Sequence, residues 1–411
     1  MNVLLVTVGS LGDFHPLLSV GQALRASGVN VFLITHPYYQ EKTVATGLQF
    51  IGAGQPVDLF AEIKKNPQFI TSRSAPVSVW KEFVLPAVED FYRVTMQAIE
   101  KYHPVFLAAH FLSVGSLLAA YQAGLPTAVL MTTPTGWLSS ADTSIGGWSF
   151  PGFSRGLFKH LRERIFLHCS YSLKEFCEKL NITWHPQIAE RCLRQVELNL
   201  GLWSSHFRPA TSDDPPHSVI CGFCCSDGDS RQLPGEIENF LQSGPPPVIV
   251  TFGSAASLHA MDLYQQAAKV CQSLSLRCLL VGPELEKLSA APYVLTRDYL
   301  PYPAIFHRCS LLIHHGGINT VGYALKAGRP QIILPFCHDQ FDNAVRCVRL
   351  GVALSLDRYR LSELTLTKAV ARALKDKSFA EKASHSSQII NQEKDGSQVC
   401  ASNLLSLVPR N

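Results

Sequence analysis

Unbroken apolar runs, rich in β-branched residues and each too short for a long helix, punctuate this chain at residues 3–8, 31–35, 105–109 and 127–131. Strands with one wet face alternate apolar and polar side chains. Continuous runs belong to parallel strands covered on both faces. Between the first two runs lies a helix-like stretch, residues 16–28, with Pro16 at a plausible first helical position and Gly28 just past the end. A strand, a helix and a second parallel strand require a right-handed crossover, so the sheet is parallel from its start.

The pattern then restarts. Strand-like runs recur at residues 248–252, 277–281, 311–314 and 331–334, with helices at 261–273, 318–327 and 339–350. Breaks fall between the two halves, at Asp213-Asp214-Pro215-Pro216, over residues 226–235 and at Ser243-Gly244-Pro245-Pro246-Pro247. Successive prolines stiffen a chain as it enters a new domain. The fold class is α/β, with two Rossmann-like parallel-sheet domains. Residues 1–225 form the first, 226–245 a linker and 246–385 the second. The closing helical segments, roughly residues 361–407, either cap the second domain or cross back to the first, and residues 386–411 are a C-terminal helical segment in position to pack back on the first domain. At ~150 residues per domain, two such units account for the length of 411 without a third.

Composition removes several function classes. The net charge of +4 is spread without a basic or acidic block, so no nucleic-acid partner is expected. Apolar stretches near residues 107–131 are broken by His110, Gln122 and Pro126, short of the ~18 residues of a spanning helix. The first run lacks a basic leader and a cleavage site, which gives an expectation of a cytoplasmic protein. The 12 cysteines are scattered, and Cys221 and Cys224 have no second pair or histidine at zinc spacing, so reduced thiols and no metal site are expected. Residues 157–166 read as a basic amphipathic helix. It packs on its own domain, lines an apolar cleft or makes a peripheral membrane contact.

In open parallel sheets, ligands bind outside the carboxyl ends of the strands. The most loaded of these ends is His314-His315-Gly316-Gly317-Ile318-Asn319-Thr320, a strand running into a helix through two histidines and two glycines. Glycines admit a phosphate to the backbone, and the first N–H groups of the helix face it. Neither a Walker lysine nor a full GxGxxG occurs, which argues against a P-loop ATPase and nicotinamide binding. Asp339 and Gln340, after the next strand, suit sugar hydroxyls, although Asp339 equally suits a helix cap. Gly253-Ser254 offers a further phosphate contact. At the end of the first strand, Asp13 is a candidate general base, a role that burial would assist by raising its pKa; His15 is the rival base, and a simple helix cap is the alternative for Asp13.

With those residues in place, the chain resembles the nucleotide-sugar-dependent glycosyltransferases of the GT-B fold, especially the branch of sterol glucosyltransferases and macrolide and glycopeptide-antibiotic glycosyltransferases. The resemblance rests on Gly12-Asp13-x-x-Pro16, residues 233–254, the His-His-Gly-Gly block and Asp339-Gln340, and extends over nearly the whole chain. It implies two domains facing across a cleft and an inverting, metal-independent transfer that needs no cofactor beyond the UDP-sugar. By that resemblance Asp13 is the base, with His110 where relatives place its partner. His315, Gly316, Gly317, Thr320 and Ser254 hold the donor diphosphate, Asp339 and Gln340 the donor sugar, Tyr299 stacks on the base of the nucleotide, and Asn319 also belongs to the donor site. His15 and Trp137 stand on the acceptor side.

Two departures concern the nucleotide. Tyr323 stands where plant relatives bind ribose with Glu, and Tyr299 and Tyr302 replace the Trp and Gln that frame the base. The resulting expectation is transfer of a hexose, glucose first, from UDP-glucose to a hydroxyl of an apolar small molecule or lipid, with the acceptor near residues 134–168. The alternatives are a non-catalytic glycosyltransferase-like partner protein and a GT-B sugar epimerase.

Overall fold

Strands form where the apolar runs are. The computed structural model describes residues 1–54, 59–71, 75–140, 144–145, 148–149, 155–225, 233–288 and 293–408. Its first half contains β1 (Asn2–Val6), β2 (Asn30–Thr35), β3 (Gln49–Gly52), β4 (Leu107–His110), β5 (Thr127–Met131), a small antiparallel hairpin of β6 (Ser144–Ile145) and β7 (Trp148–Ser149), then β8 (Leu198–Gly201) and β9 (Ser218–Ile220). All but the hairpin join one parallel sheet of order β3-β2-β1-β4-β5-β8-β9. The second half builds β10 (Val248–Thr251), β11 (Cys278–Val281), β12 (Val294–Arg297), β13 (Leu311–His314), β14 (Gln331–Ile333) and β15 (Ala353–Ser355), ordered β12-β11-β10-β13-β14-β15 and again parallel throughout. Both sheets change winding direction once, between β1 and β4 and between β10 and β13. At such a point the helices leave on opposite faces and open a crevice at the strand ends.

The first helix runs Leu11–Ala26, beginning five residues before Pro16. The expectation that Pro16 opens it is corrected by local chemistry. Ser10 caps the helix and Asp13 reaches back to the Ser10 backbone, so the start is fixed by a capping box upstream of the proline.

The linker is shorter than residues 226–245. The helix Gly235–Gln242 already buries Ile237 and Leu241 against Ile249 and Leu279 of the second sheet, and residues 226–232 lie outside the described ones. The helices Glu363–Lys375 and Lys377–Gln392 cover the second domain. Gly396–Leu405 returns to the first, burying Cys400, Ala401 and Leu404 in the core with Val3, Leu5 and Phe14.

Apolar packing also joins the domains directly. Ile63, Phe69 and Ala75 of the first half bury against Phe252, Phe336 and Cys337 of the second, while Phe207 and Phe223 share a cluster with Ile318 and Val321. Among the described residues, no helix is long and apolar enough to cross a membrane. The basic amphipathic helix spans Arg155–Ser172 and leaves Leu161, Ile165, Leu167 and Tyr171 exposed. Cys221 and Cys224 are buried free thiols.

Candidate functional site

At the first switch point, β1 leads into the helix Leu11–Ala26, whose first turn carries Asp13, and His110 is the last residue of β4. The Asp13 carboxylate divides its work. Oδ2 accepts from the Ser10 N–H at 3.1 Å and from the Ser10 hydroxyl at 3.3 Å. Oδ1 faces His110 Nε2 at 3.2 Å and accepts from the Thr132 hydroxyl at 3.3 Å. His110 Nε2 and Thr132 Oγ1 are 3.2 Å apart, closing a triangle. One proton arrangement satisfies all three contacts: Thr132 donates to Asp13, and the His110 Nε2–H is shared between both. The imidazole is fully buried, whereas the Asp13 side chain keeps 23% of its surface open to the cleft, so a ligand meets the carboxylate first.

Burial alone pushes the Asp13 pKa up, as foreseen. The charge and hydrogen bond of His110, with the Ser10 backbone and hydroxyl, outweigh it and hold the pKa below the ordinary carboxylate value. The expectation of a raised pKa is therefore corrected: Asp13 is an ionised carboxylate at neutral pH. His15 is pushed down to about 4 by burial and by Lys42, so its imidazole is neutral and a weak base.

The second switch point is held by neutral groups. His314, fully buried at the end of β13, accepts from the Gly316 N–H at Nδ1 (3.1 Å) and meets Gln331 Oε1 at Nε2 (2.9 Å), which fixes the proton on Nε2. Burial takes its pKa down to about 4. Gly316 sits at φ +87°, and a Cβ there would come within 2.8 Å of Ile333 and 3.1 Å of the Gln340 carbonyl, so only glycine makes this turn. His315 lies in a slot between two further glycines. A Cβ on Gly253 would stand 2.7 Å from its ring and one on Gly317 2.4 Å. Burial and the neighbouring His314 push the His315 pKa to about 3, and its buried Nδ1 has no hydrogen-bond partner. The helix Ile318–Ala327 starts directly after this turn, and Ser254 is exposed beside it.

Comparison with known proteins bears on what this pair of loops is for. Residues 3–129 match the family model described as the glycosyltransferase family 28 N-terminal domain, and residues 281–397 match that of the erythromycin biosynthesis protein CIII-like C-terminal domain. Among solved structures, the glycotransferase of kitacinnamycin superimposes with a TM-score of 0.77 over 99% of both chains at 18% identity. The calicheamicin glycosyltransferase CalG4 does so with a TM-score of 0.76 at 17% identity, over 100% of this chain and 98% of its own.

The chain belongs to the GT-B glycosyltransferases.

Its sequence relatives in this family are distant. A sterol 3-beta-glucosyltransferase of Arabidopsis thaliana is 24% identical over 83% of this chain and 57% of its own length. The O-mycaminosyltylonolide 6-deoxyallosyltransferase of Streptomyces fradiae is 25% identical over 97% of this chain and 96% of its own. The chain thus spans a little over half the length of the two Arabidopsis sterol glucosyltransferases and 27–33% of the fungal ones it matches.

The GT-B cleft gathers some of the expected residues and employs others elsewhere. Asp339 lies at its rim and accepts from Asn343 Nδ2 at 2.7 Å; burial, with the nearby Asp13 charge adding to it, raises its pKa to about 6. Gln340, foreseen on the donor sugar, spends its side-chain oxygen on the N–H groups of Phe336 (2.8 Å) and Cys337 (3.2 Å), stapling the loop that carries Asp339. Asn319, expected in the donor site, donates across the cleft to the Gly12 carbonyl at 2.9 Å. Thr320 is buried against Tyr302, whose hydroxyl also meets Thr251 at 2.9 Å and whose ring stacks on Phe306, so Tyr302 is a packing residue. Tyr299 is 77% exposed and open to a stacking partner.

Trp137 is corrected outright. It is 1% exposed, packed edge-on against Trp203 with the Arg208 guanidinium over its face, and belongs to the first domain's core. Residues 141–143, 146–147 and 150–154 of the expected acceptor stretch lie outside the described residues. Sequence reasoning missed Thr132, Gln331 and Asn343. Thr132 had one available signal, a polar residue directly after a parallel strand.

Proposed function

We propose that this glycosyltransferase moves a hexose from a nucleoside-diphosphate donor, UDP-glucose being the first to test, to a hydroxyl of an apolar acceptor, with inversion at the sugar C1. The observation that carries this reading is the meeting in one cleft of an ionised, partly exposed carboxylate, Asp13, with a turn of neutral donors around His315. The acceptor hydroxyl gives its proton to Asp13 Oδ1 as its oxygen bonds to C1. The bond from C1 to the β-phosphate oxygen breaks, and the nucleoside diphosphate leaves with the electron pair. A lone pair on Oδ1 is freed at little cost, since the longer of its two contacts, from the Thr132 hydroxyl at 3.3 Å, comes from a group that rotates.

The leaving charge is met by His315 and by the first N–H groups of the helix Ile318–Ala327. Asp339, on the loop that Gln340 staples, takes sugar hydroxyls. The sterol and macrolide relatives support an acceptor that is large and apolar. The exposed leucines of the basic helix Arg155–Ser172 fit an acceptor delivered from a lipid surface.

The test offers UDP-glucose and dTDP-glucose with a panel of 3-hydroxysterols and macrolide aglycones, reading products one hexose heavier by mass spectrometry and the anomeric configuration by NMR. A β-linked product from an α-configured donor supports the reading. An α-linked product, or no product together with no thermal shift by either nucleotide, overturns it.

A further inference from the structure

Pro16 sits inside the first helix, where a proline is costly, and the consequence appears on the other domain. An α-helical carbonyl normally accepts the N–H four residues on, and Pro16 has none to give to Gly12. The proline ring also crowds that carbonyl, turning it away from the helix axis. The Gly12 oxygen is thus left as a strong acceptor on the residue beside Asp13. Asn319, in the first turn of the helix Ile318–Ala327, fills it from across the cleft at 2.9 Å.

Other cross-cleft bonds exist, including Thr135 to Asp342 at 3.1 Å and His338 to the Phe69 carbonyl at 3.1 Å. The Asn319 bond differs from these in joining the first turns of the two helices that carry the base and the diphosphate turn. It sets the distance between the group that takes the proton and the group that takes the leaving charge.

We infer that Asn319 is a positioning residue, a latch whose acceptor is created by Pro16, holding the Asp13 turn in register with the His315 turn when the cleft is closed. The inference rests on the transfer reading for its kinetic consequence but not for its geometry. A carboxamide suits the task because Nδ2–H donates without charge. A carboxylate at residue 319 would face the Gly12 oxygen and Asp13 with lone pairs alone.

The test compares Asn319→Ala, Asn319→Asp, Pro16→Ala and the pair Pro16→Ala/Asn319→Ala, each checked for an unchanged melting temperature. Loss of one such hydrogen bond should lower kcat roughly three- to tenfold, more for Asn319→Asp, with UDP affinity changed less than about twofold. With UDP bound, amide exchange at residues 11–15 and 318–322 should quicken. Pro16→Ala returns an N–H to the Gly12 carbonyl and competes with the latch, so it should also lower kcat, and the double variant should be no worse than Asn319→Ala alone.

Additive losses in the double variant, or unchanged exchange in Asn319→Ala, overturn the latch. So does a collapse of UDP affinity with kcat intact, which would return Asn319 to the donor site. Exchange in the UDP-bound protein needs no turnover. Faster exchange without any detectable transfer would sink the transfer reading and leave the latch standing.

Discussion

His110 and His314 occupy the same place in two copies of one topology. Each is the last residue of the fourth strand at a switch point, and each is fully buried. What differs is the partner. His314 is held by a carboxamide and a backbone N–H, both uncharged, and stays neutral while shaping a turn. His110 faces a carboxylate and lowers that carboxylate's pKa. The same imidazole thus builds a scaffold in one domain and tunes a carboxylate in the other. Position in the fold chooses the residue, and the neighbouring side chain chooses its job.

The sharpest way to break this comparison is to remove the tuned group. Asp13→Asn keeps the capping geometry but cannot take a proton, so kcat should fall roughly 10²–10⁴-fold while UDP affinity, measured by calorimetry, stays within about twofold. Retained turnover would move the base to His15, despite a pKa near 4 there. On the scaffold side, His315→Ala removes a donor from the leaving phosphate. UDP affinity and kcat should fall together, with kcat down about 10²-fold. Unchanged values for both would dissolve the assignment of the second switch point.

A middle-sized effect separates the two histidines themselves. His110→Gln removes the charge partner of Asp13 while keeping a donor. The Asp13 pKa should then rise, moving the acid limb of the kcat/KM profile to higher pH, with the plateau reduced about tenfold. His314→Gln should leave that limb where it is and instead weaken UDP binding by loosening the Gly316 turn. Equal shifts in both variants would mean that the two histidines do not differ in kind.

Much of this was legible in the residues. Both sheets announce themselves because parallel strands must be apolar on both faces, and Thr127–Met131, Leu311–His314 and the helix Ile318–Ala327 fall where the runs put them. The turn around His315 is readable because Gly316 serves a conformation that other residues avoid. What stayed hidden depends on partners brought from far along the chain. Gln340 carries the right chemistry for a sugar, yet two N–H groups of its own loop claim its oxygen. Asn319 is claimed by a carbonyl some three hundred residues away, and only because Pro16 frees it. Trp137 is expected on the acceptor side, whereas the core it fills is assembled with Trp203 and Arg208.

The smallest effect concerns a second carboxylate facing the same cleft. Asp339 has its pKa raised to about 6, chiefly by burial and further by Asp13. A carboxyl with a folded pKa above its unfolded value contributes stability that is fully present below about 3.8 and lost as pH rises through about 6, because the folded site must then hold an anion that the unfolded chain holds more easily. Asp339→Asn keeps the oxygen that accepts from Asn343 and removes the charge. The variant should gain about 1–2 kcal/mol of stability at pH 7, a shift of ~2 units less the relaxation of a partly exposed group, and nothing near pH 3.5. Urea unfolding at the two pH values measures it. Equal gains at both would trace the stabilisation to packing. No gain at either would mean that the anion is already well compensated in the free cleft. Asp339 would then be a second tuned carboxylate like Asp13, and the division between a tuned first domain and a neutral second one would fail.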